Sequence, residues 1–248
     1  MADGKGDNKV SEDMIFDPED IVFNPDNREP AFTIRDSGGV YDRQESLGIN
    51  RDQSVLIVGC GGIGSWMGYF LGLAGVRELH LFDGDRIETH NLNRLPFTPG
   101  DIGKFKSNAL SELIRISRPE ALVSTYGHYR PDMFPDHLTL AQAADWVICS
   151  TDSLGSRRMV RESLLGSAAK YLELGADGMG ATVTTEPAEW STPAEEQPGY
   201  QSVPVFVGPC TLAASIAAYY VLKGVVPQET FRVDWSSAGL RIGQYQGV

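Results

Sequence analysis

Cysteine is scarce in this chain. Its 248 residues include three, Cys60, Cys149 and Cys210, scattered without a Cys-x-x-Cys pair. That excludes a disulfide framework and a structural zinc site built from four thiolates. Long apolar runs are missing too. No stretch approaches the roughly 20 residues a membrane helix needs, and Met1 to Glu12 is polar where a secretory signal would carry an apolar core. A cytoplasmic protein with no membrane partner is expected. Positive charge is in deficit, with 21 Lys and Arg against 33 Asp and Glu and a formal net charge of -12. Sequence-independent binding of nucleic acid or anionic lipid needs the opposite balance, so only a local basic site is expected. Histidine is rare, and His80, His128 and His137 have no spacing that suggests a metal; surface or core roles are expected for them.

The apolar content that is present, 42% of residues, suffices for one sizeable core. Residues 1–50 are rich in Asp, Asn, Pro and Gly with isolated apolar positions, which predicts a partly ordered arm of the kind that packs on another subunit. Residues 51–248 are expected to form one domain. Strands are predicted at Ser54–Val58, Glu78–Phe82, Leu122–Tyr126, Trp146–Cys149 and Tyr171–Leu174. Helices are predicted at Ile63–Leu73, Lys104–Ile116, Gly155–Ala169 and Thr211–Lys223, and two further strands at Phe231–Trp235 and Leu240–Tyr245. The alternation implies right-handed βαβ crossovers. The fold class is therefore α/β: a Rossmann-like, mostly parallel sheet flanked by helices, with extra C-terminal strands. Glu186 to Tyr200, dense in Pro, Glu, Ser and Thr, is expected to be a mobile surface loop. No internal repeat is visible.

Gly59-Cys60-Gly61-Gly62-Ile63-Gly64 fits the Rossmann spacing, with glycines where the turn tightens, where backbone must approach phosphate, and where helix meets strand. A lone motif of this form could serve close packing alone. Here it follows a strand, opens a helix, and is answered by Asp83 at the end of the next strand, where a carboxylate can bind a ribose. The loop after Asp83 is unusually polar. Asn91, Arg94 and a lysine of the following helix could together clamp a triphosphate, because they offer neutral and cationic donors to several oxygens at once. Asp152, just past the fourth strand, lies at the carboxyl edge of the sheet, where it could hold Mg²⁺. Nothing downstream announces a second half-site or a hydride pocket, so the assembly suits ATP better than a redox dinucleotide.

These residues resemble a known family. Gly59-Cys60-Gly61-Gly62-Ile63-Gly64-Ser65, the run from Asp83-Gly84-Asp85 to Asn91-Leu92-Asn93-Arg94, Ile102-Gly103 with Lys106, and Ser150-Thr151-Asp152 with Arg157 are similar to the ubiquitin-activating-enzyme (ThiF/MoeB/HesA) superfamily, and Tyr41-Asp42-Arg43-Gln44 is similar to its N-terminal Tyr-x-Arg-Gln element. The resemblance covers roughly Tyr41 to Arg157 and implies an adenylation domain over 51–248. It implies that Gly59, Gly61, Gly62 and Gly64 border the nucleotide, that Asp83 binds the ribose, and that Asn91, Arg94 and Lys106 bind the phosphates. Asp152 would coordinate Mg²⁺, while Asp85 stays open between capping the polar loop and touching nucleotide or metal. Arg43 would act as an arginine finger on a neighbouring subunit's ATP, which implies a homodimer. The implied reaction is attack of a carboxylate on the α-phosphate, giving an acyl-adenylate and pyrophosphate.

The implied substrate is a small ubiquitin-like or sulfur-carrier protein, or a peptide, whose tail the Glu186 to Tyr200 loop would guide. Two alternatives stay open: adenylation of a non-protein carboxylate such as modified tRNA or a small molecule, and a nucleotide-binding partner subunit without catalysis. The chain departs from the family pattern at His90 and Leu95, and it lacks the zinc pairs. Cys210 follows Pro209 as a transfer cysteine would, yet it also aligns with the start of the family's last core helix, where packing is favoured. Cys60 and Cys149 are expected to be structural. Arg157 is open between a site role and a structural ion pair.

Overall fold

Val55, Leu56, Ile57 and Val58 are an unbroken apolar run, and all four are buried. Such a run, rather than alternation, marks a strand covered on both faces. It forms β1 (Ser54–Val58), paired in parallel with β2 (Glu78–Phe82) on one side and β4 (Trp146–Cys149) on the other. The computed structural model describes residues 39–41, 44, 47–178, 180–186, 205–236 and 239–245. Arg43, most of the expected arm over 1–50 and nearly all of the Glu186 to Tyr200 loop lie outside the described residues.

β3 (Leu122–Tyr126) flanks β2, and β5 (Lys170–Asp177) flanks β4, both in parallel. From β5 the sheet continues antiparallel through β6 (Gly180–Thr184), β7 (Thr230–Ser236) and β8 (Gly239–Tyr245). The eight strands run β3-β2-β1-β4-β5-β6-β7-β8. The chain leaves β1 toward β2 and β3, then returns to β4 on the opposite side. The carboxyl ends of β1 and β4 therefore form a topological switch point, the crevice where ligands bind in open α/β sheets.

Alternate strand residues supply two cores. Val55, Ile57, Leu79, Leu81, Trp146 and Ile148 pack with α1 (Gly62–Ala74), α2 (Lys106–Ser117) and α5 (Val207–Lys223) through Met67, Leu71, Leu110, Ile114, Ala213 and Ala217. Leu56, Val58, Phe82, Val147 and Cys149 pack on the other side with α3 (Pro135–Ala143) and α4 (Leu154–Ser163) through Ala141 and Val160. No helix among the described residues is long and apolar enough to cross a membrane. Ahead of β1, the Tyr41 ring lies against Gly75 and under the Arg51 guanidinium at 4.3 Å, while its hydroxyl donates to Glu120 at 2.8 Å. Gln44 donates to the Ala74 carbonyl at 2.7 Å. This short segment is thus pinned to the C-terminal end of α1.

The predicted strands match those observed within a few residues, but several boundaries need correction. The helix predicted over Gly155–Ala169 ends at Ser163. Leu164, Leu165, Ala168 and Ala169 continue an apolar pattern, yet Gly166 takes a left-handed φ of 80° and Leu165 is exposed. α5 starts at Val207 rather than Thr211, because Pro209 is tolerated in a first turn, where its missing N–H has no partner to lose. α3 and β6 were not anticipated. Only Ala141 of α3 is buried, so it leaves almost no apolar stripe, and β6 begins on Gly180, a weak strand former.

α1 and α2 approach closely at Gly68 and Gly72, where an added Cβ would lie 2.9 Å from Leu110 Cδ2 and 2.8 Å from Ile114 Cγ2. Gly68→Leu is expected to lower the free energy of unfolding by about 1–3 kcal/mol, the usual cost of overpacking. The check is a lower urea midpoint with an unchanged slope; an unmoved midpoint would contradict this helix contact.

Candidate active site

The glycines of the turn between β1 and α1 are required for different reasons. Gly59 has φ 95°, and a Cβ there would meet the Ser150 carbonyl at 3.0 Å and the Thr151 nitrogen at 3.1 Å. A Cβ on Gly64 would collide with the Gly59 carbonyl. One on Gly62 would meet Cys210 Sγ at 2.8 Å and Arg94 Cδ at 3.3 Å. Gly61 is the exception. Its φ of -75° and ψ of -154° suit any residue, and nothing lies within 4 Å of its missing side chain. Neither backbone conformation nor packing within the chain demands glycine at 61. Gly61 is also the N-cap of α1, whose first turn carries neither a side-chain cap nor an acidic residue. The positive end of that helix points into the turn.

Asp83 directly follows β2 and is 9% exposed. Its two carboxylate oxygens accept from the Cys60 amide at 2.7 Å and the Asp85 amide at 2.8 Å, which ties the glycine turn to the loop after β2. Burial pushes its carboxyl pKa up, against the nearby Lys106 charge and the two amide bonds. Asp85 itself forms an ion pair with Lys106 at 2.9 Å, the lysine side chain being 14% exposed. Lys104 instead pairs with Asp101 and Glu112, at 3.1 and 2.7 Å, as a surface residue would.

Asn91 is buried, and its Oδ1 accepts from the Glu88 amide at 3.1 Å, closing the 3₁₀ turn Thr89–Asn91. Arg94 donates to the His90 carbonyl and to Asn93 Oδ1, both at 3.0 Å. Its own carbonyl accepts from Trp66 Nε1 at 2.8 Å. Trp66, one turn into α1, thereby fixes the backbone that carries Arg94, a function the sequence did not disclose. Of the departures from the family pattern, His90 is exposed beside Glu88 and Leu95 is buried.

On the other side of the crevice, the loop after β4 packs against the turn. Ser150 Oγ donates to the Gly59 carbonyl at 2.7 Å. Asp152, two residues on, is exposed. Arg157 turns inward from α4 and is almost wholly buried: Nε donates to the Thr151 carbonyl at 2.7 Å, Nη1 to Glu173 Oε1 at 2.9 Å and Nη2 to the Leu174 carbonyl at 3.0 Å. Tyr171 donates to Glu173 Oε2 at 2.8 Å. Burial, Cys149 and Glu173 push that phenol's pKa up, so it remains a donor. The open question over Arg157 is answered in favour of an ion pair.

Cys210, in the first turns of α5, is 1% exposed beside Gly62 and Arg94. Burial pushes its thiol up to about 11, opposed by Arg94 and reinforced by Asp152. A thiol held neutral in this way is a packing group rather than an activated nucleophile. His128 is exposed with its ring against Gly84, where a Cβ would lie 2.5 Å from Nε2; the sequence offered no signal for that placement. His137 is half-buried, its ring against those of Phe82, Tyr126, Tyr129 and Phe134. Gly59, Gly61, Gly62, Gly64, Asp83, Asp85, Asn91, Arg94, Lys106 and Asp152 thus lie in the loops and helix starts that follow β1, β2 and β4.

Strand order and the glycine turn between β1 and α1 together define a protein of the Rossmann-like α/β class. The chain belongs to the ThiF family, whose model matches residues 41–223, in keeping with the resemblance read from the sequence. It is 34% identical over 141 residues to the tRNA threonylcarbamoyladenosine dehydratase of Haemophilus influenzae, a match covering 55% of this chain and 51% of that protein. It is 28% identical over 184 residues to ubiquitin-like modifier-activating enzyme 5 of Branchiostoma floridae, covering 70% and 44%. The chain spans about half the length of these relatives. Among solved structures, E. coli MccB superposes with a TM-score of 0.64 at 21% identity over 79% of this chain and 62% of MccB. PaaA superposes with a TM-score of 0.63 at 20% identity over 78% and 73%. At such identities the likeness is one of fold.

Two outcomes follow from this geometry. Gly61→Ala should fold with a melting temperature near wild type yet bind ATP at least about tenfold more weakly, since it fills space that only a ligand uses; calorimetric titration measures this, and equal affinity would place the phosphates elsewhere. Iodoacetamide at pH 8 should label native Cys210 at least about 100-fold more slowly than a free cysteine, as read by peptide mass analysis; fast labelling would restore the nucleophile reading.

Proposed function

We propose that this chain uses ATP to adenylate the C-terminal carboxylate of a ubiquitin-like or sulfur-carrier protein or of a peptide, releasing pyrophosphate. The observation that carries the reading is the open space at Gly61, the N-cap of α1, with Arg94 on the loop after β2 and Lys106 at the start of α2. The phosphates would lie on the α1 amides. Asn91 offers its amide Nδ2, and Arg94 and Lys106 offer charge as it builds on the α- and β-phosphate oxygens during carboxylate attack. Each Asp83 oxygen keeps a further acceptor position for a ribose hydroxyl. These groups orient the ATP and neutralise its charge; the substrate carboxylate itself is the nucleophile.

Among the described residues no group of three or more His, Cys, Asp and Glu could hold a metal ion. The exposed carboxylate of Asp152 nonetheless fits Mg²⁺, which protein sites commonly hold through one or two carboxylates with substrate phosphates supplying the rest. Bound there, the ion would withdraw charge from the phosphates. Support for ATP and for a protein or peptide substrate comes from relatives: MccB has been solved with ATP and with N-formylated MccA, and one relative bears the name ubiquitin-like modifier-activating enzyme. A second reading, adenylation of a carboxylate on modified tRNA, is favoured by the 34% identity to the tRNA dehydratase and opposed by the net charge of -12.

The homodimer belongs to the same proposal. Tyr41 and Gln44, which flank Arg43 in sequence, are anchored at the end of α1 away from the glycine turn, about 20 Å off at 1.5 Å per residue over 13 residues. Arg43 itself lies outside the described residues, and its service to a second copy's site rests on the resemblance of Tyr41-Asp42-Arg43-Gln44 to the family element.

Exchange of labelled pyrophosphate into ATP should require a carrier ending in Gly-Gly; exchange with modified tRNA instead would select the second reading, and none with any carboxylate would end the enzyme reading. Asp152→Ala should abolish exchange with the melt unchanged. Mixing inactive Arg43→Ala and Asp152→Ala proteins should recover roughly a quarter of wild-type exchange, since half the dimers would be hybrids with one complete site each. No recovery would place Arg43 in its own subunit's site.

A further inference from the structure

We propose that Arg157, Glu173 and Tyr171 act as positioning residues that set the orientation of Asp152 at the nucleotide site. The inference rests on the reading of Asp152 as the metal carboxylate.

Arg157 and Glu173 form an ion pair whose side chains are 6% and 2% exposed. Taking two charges out of water costs so much that a well-packed apolar pair often stabilises a fold as well or better. Stability alone therefore does not account for this pair. Its geometry does. Cys149, the last residue of β4, lies opposite Glu173 in the parallel register of β5. The guanidinium spans that register, holding Glu173 and the Leu174 carbonyl on β5 and the Thr151 carbonyl on the loop. Because the peptide group is planar, a bond to the Thr151 oxygen also fixes the amide that starts Asp152. Tyr171 completes the arrangement by holding the second oxygen of Glu173.

The same loop is clasped from its other side by the glycine turn, through the Ser150 hydroxyl on Gly59 and the close approach of Gly59 to Thr151. Asp152 thus projects from a peptide pinned at both flanks, while its carboxylate stays exposed for a ligand. The three bonds of the guanidinium fork reach one loop and one strand at once. A lysine has the charge but not the fork.

The test compares Tyr171→Phe, Glu173→Gln and Arg157→Lys with Asp152→Asn, measuring ATP binding by calorimetry in EDTA and in graded Mg²⁺, pyrophosphate exchange, and thermal melting. The positioning variants should bind ATP in EDTA as wild type does. Their half-saturating Mg²⁺ should rise about 10–100-fold for Arg157→Lys and Glu173→Gln, the range seen when an outer group that orients a metal ligand is lost, and less for Tyr171→Phe. A purely structural brace would lower the melting temperature and leave the Mg²⁺ dependence where it was. That result in Tyr171→Phe, the mildest change, together with either partner variant would overturn the proposal while leaving the site reading intact, provided Asp152→Asn does shift the Mg²⁺ dependence. If Asp152→Asn does not shift it, the metal reading fails and the proposal falls with it.

Discussion

The site depends on one close approach, that of Gly59 to the backbone of Ser150 and Thr151. β1 and β4 are adjacent parallel strands, and their exit loops must diverge to opposite sides of the sheet while still touching at the start. A left-handed glycine is what lets the first loop turn away at once, and the Ser150 hydroxyl on the Gly59 carbonyl closes the contact. The glycines at 59 and 64 are consequences of this contact, and Gly61 is free to be glycine for another reason.

Around that contact the polar groups form a layered arrangement. Buried carboxylates do structural work: Asp83 binds two amides, and Glu173 is locked to Arg157 and Tyr171. Partly exposed ones, Asp85 and Asp152, stand at the mouth. The buried ones are tolerated because hydrogen bonds replace their lost water.

Much of the sheet was legible because its strands are buried on both faces and so appear as short apolar runs with clear ends, as Leu56 to Val58 and Trp146 to Cys149 show. The antiparallel extension was only partly legible. β6 lacks such a run at its glycine start, and α3 buries a single alanine, so neither carries a period to detect. Within the site, the motif residues were legible as types at spacings, and they do gather at one sheet edge. What spacing could not give was direction: that Arg157 turns into the core, that Trp66 holds Arg94 by its carbonyl, that Cys210 presses on Gly62 with its thiol kept neutral, or that His128 covers Gly84. These depend on side chains meeting across elements distant in sequence.

The Lys106–Asp85 ion pair has a wider consequence for an acidic protein. Before any ligand arrives, this cation already has an anionic partner at hydrogen-bonding distance, and the Arg94 guanidinium is likewise occupied by a carbonyl and an amide oxygen. Entry of a polyanion is therefore an exchange of partners, with Asp85 as a resident competitor. The pair is open to water, its Asp85 side chain being 61% exposed, so it is worth at most about 1 kcal/mol and the exchange would cost little.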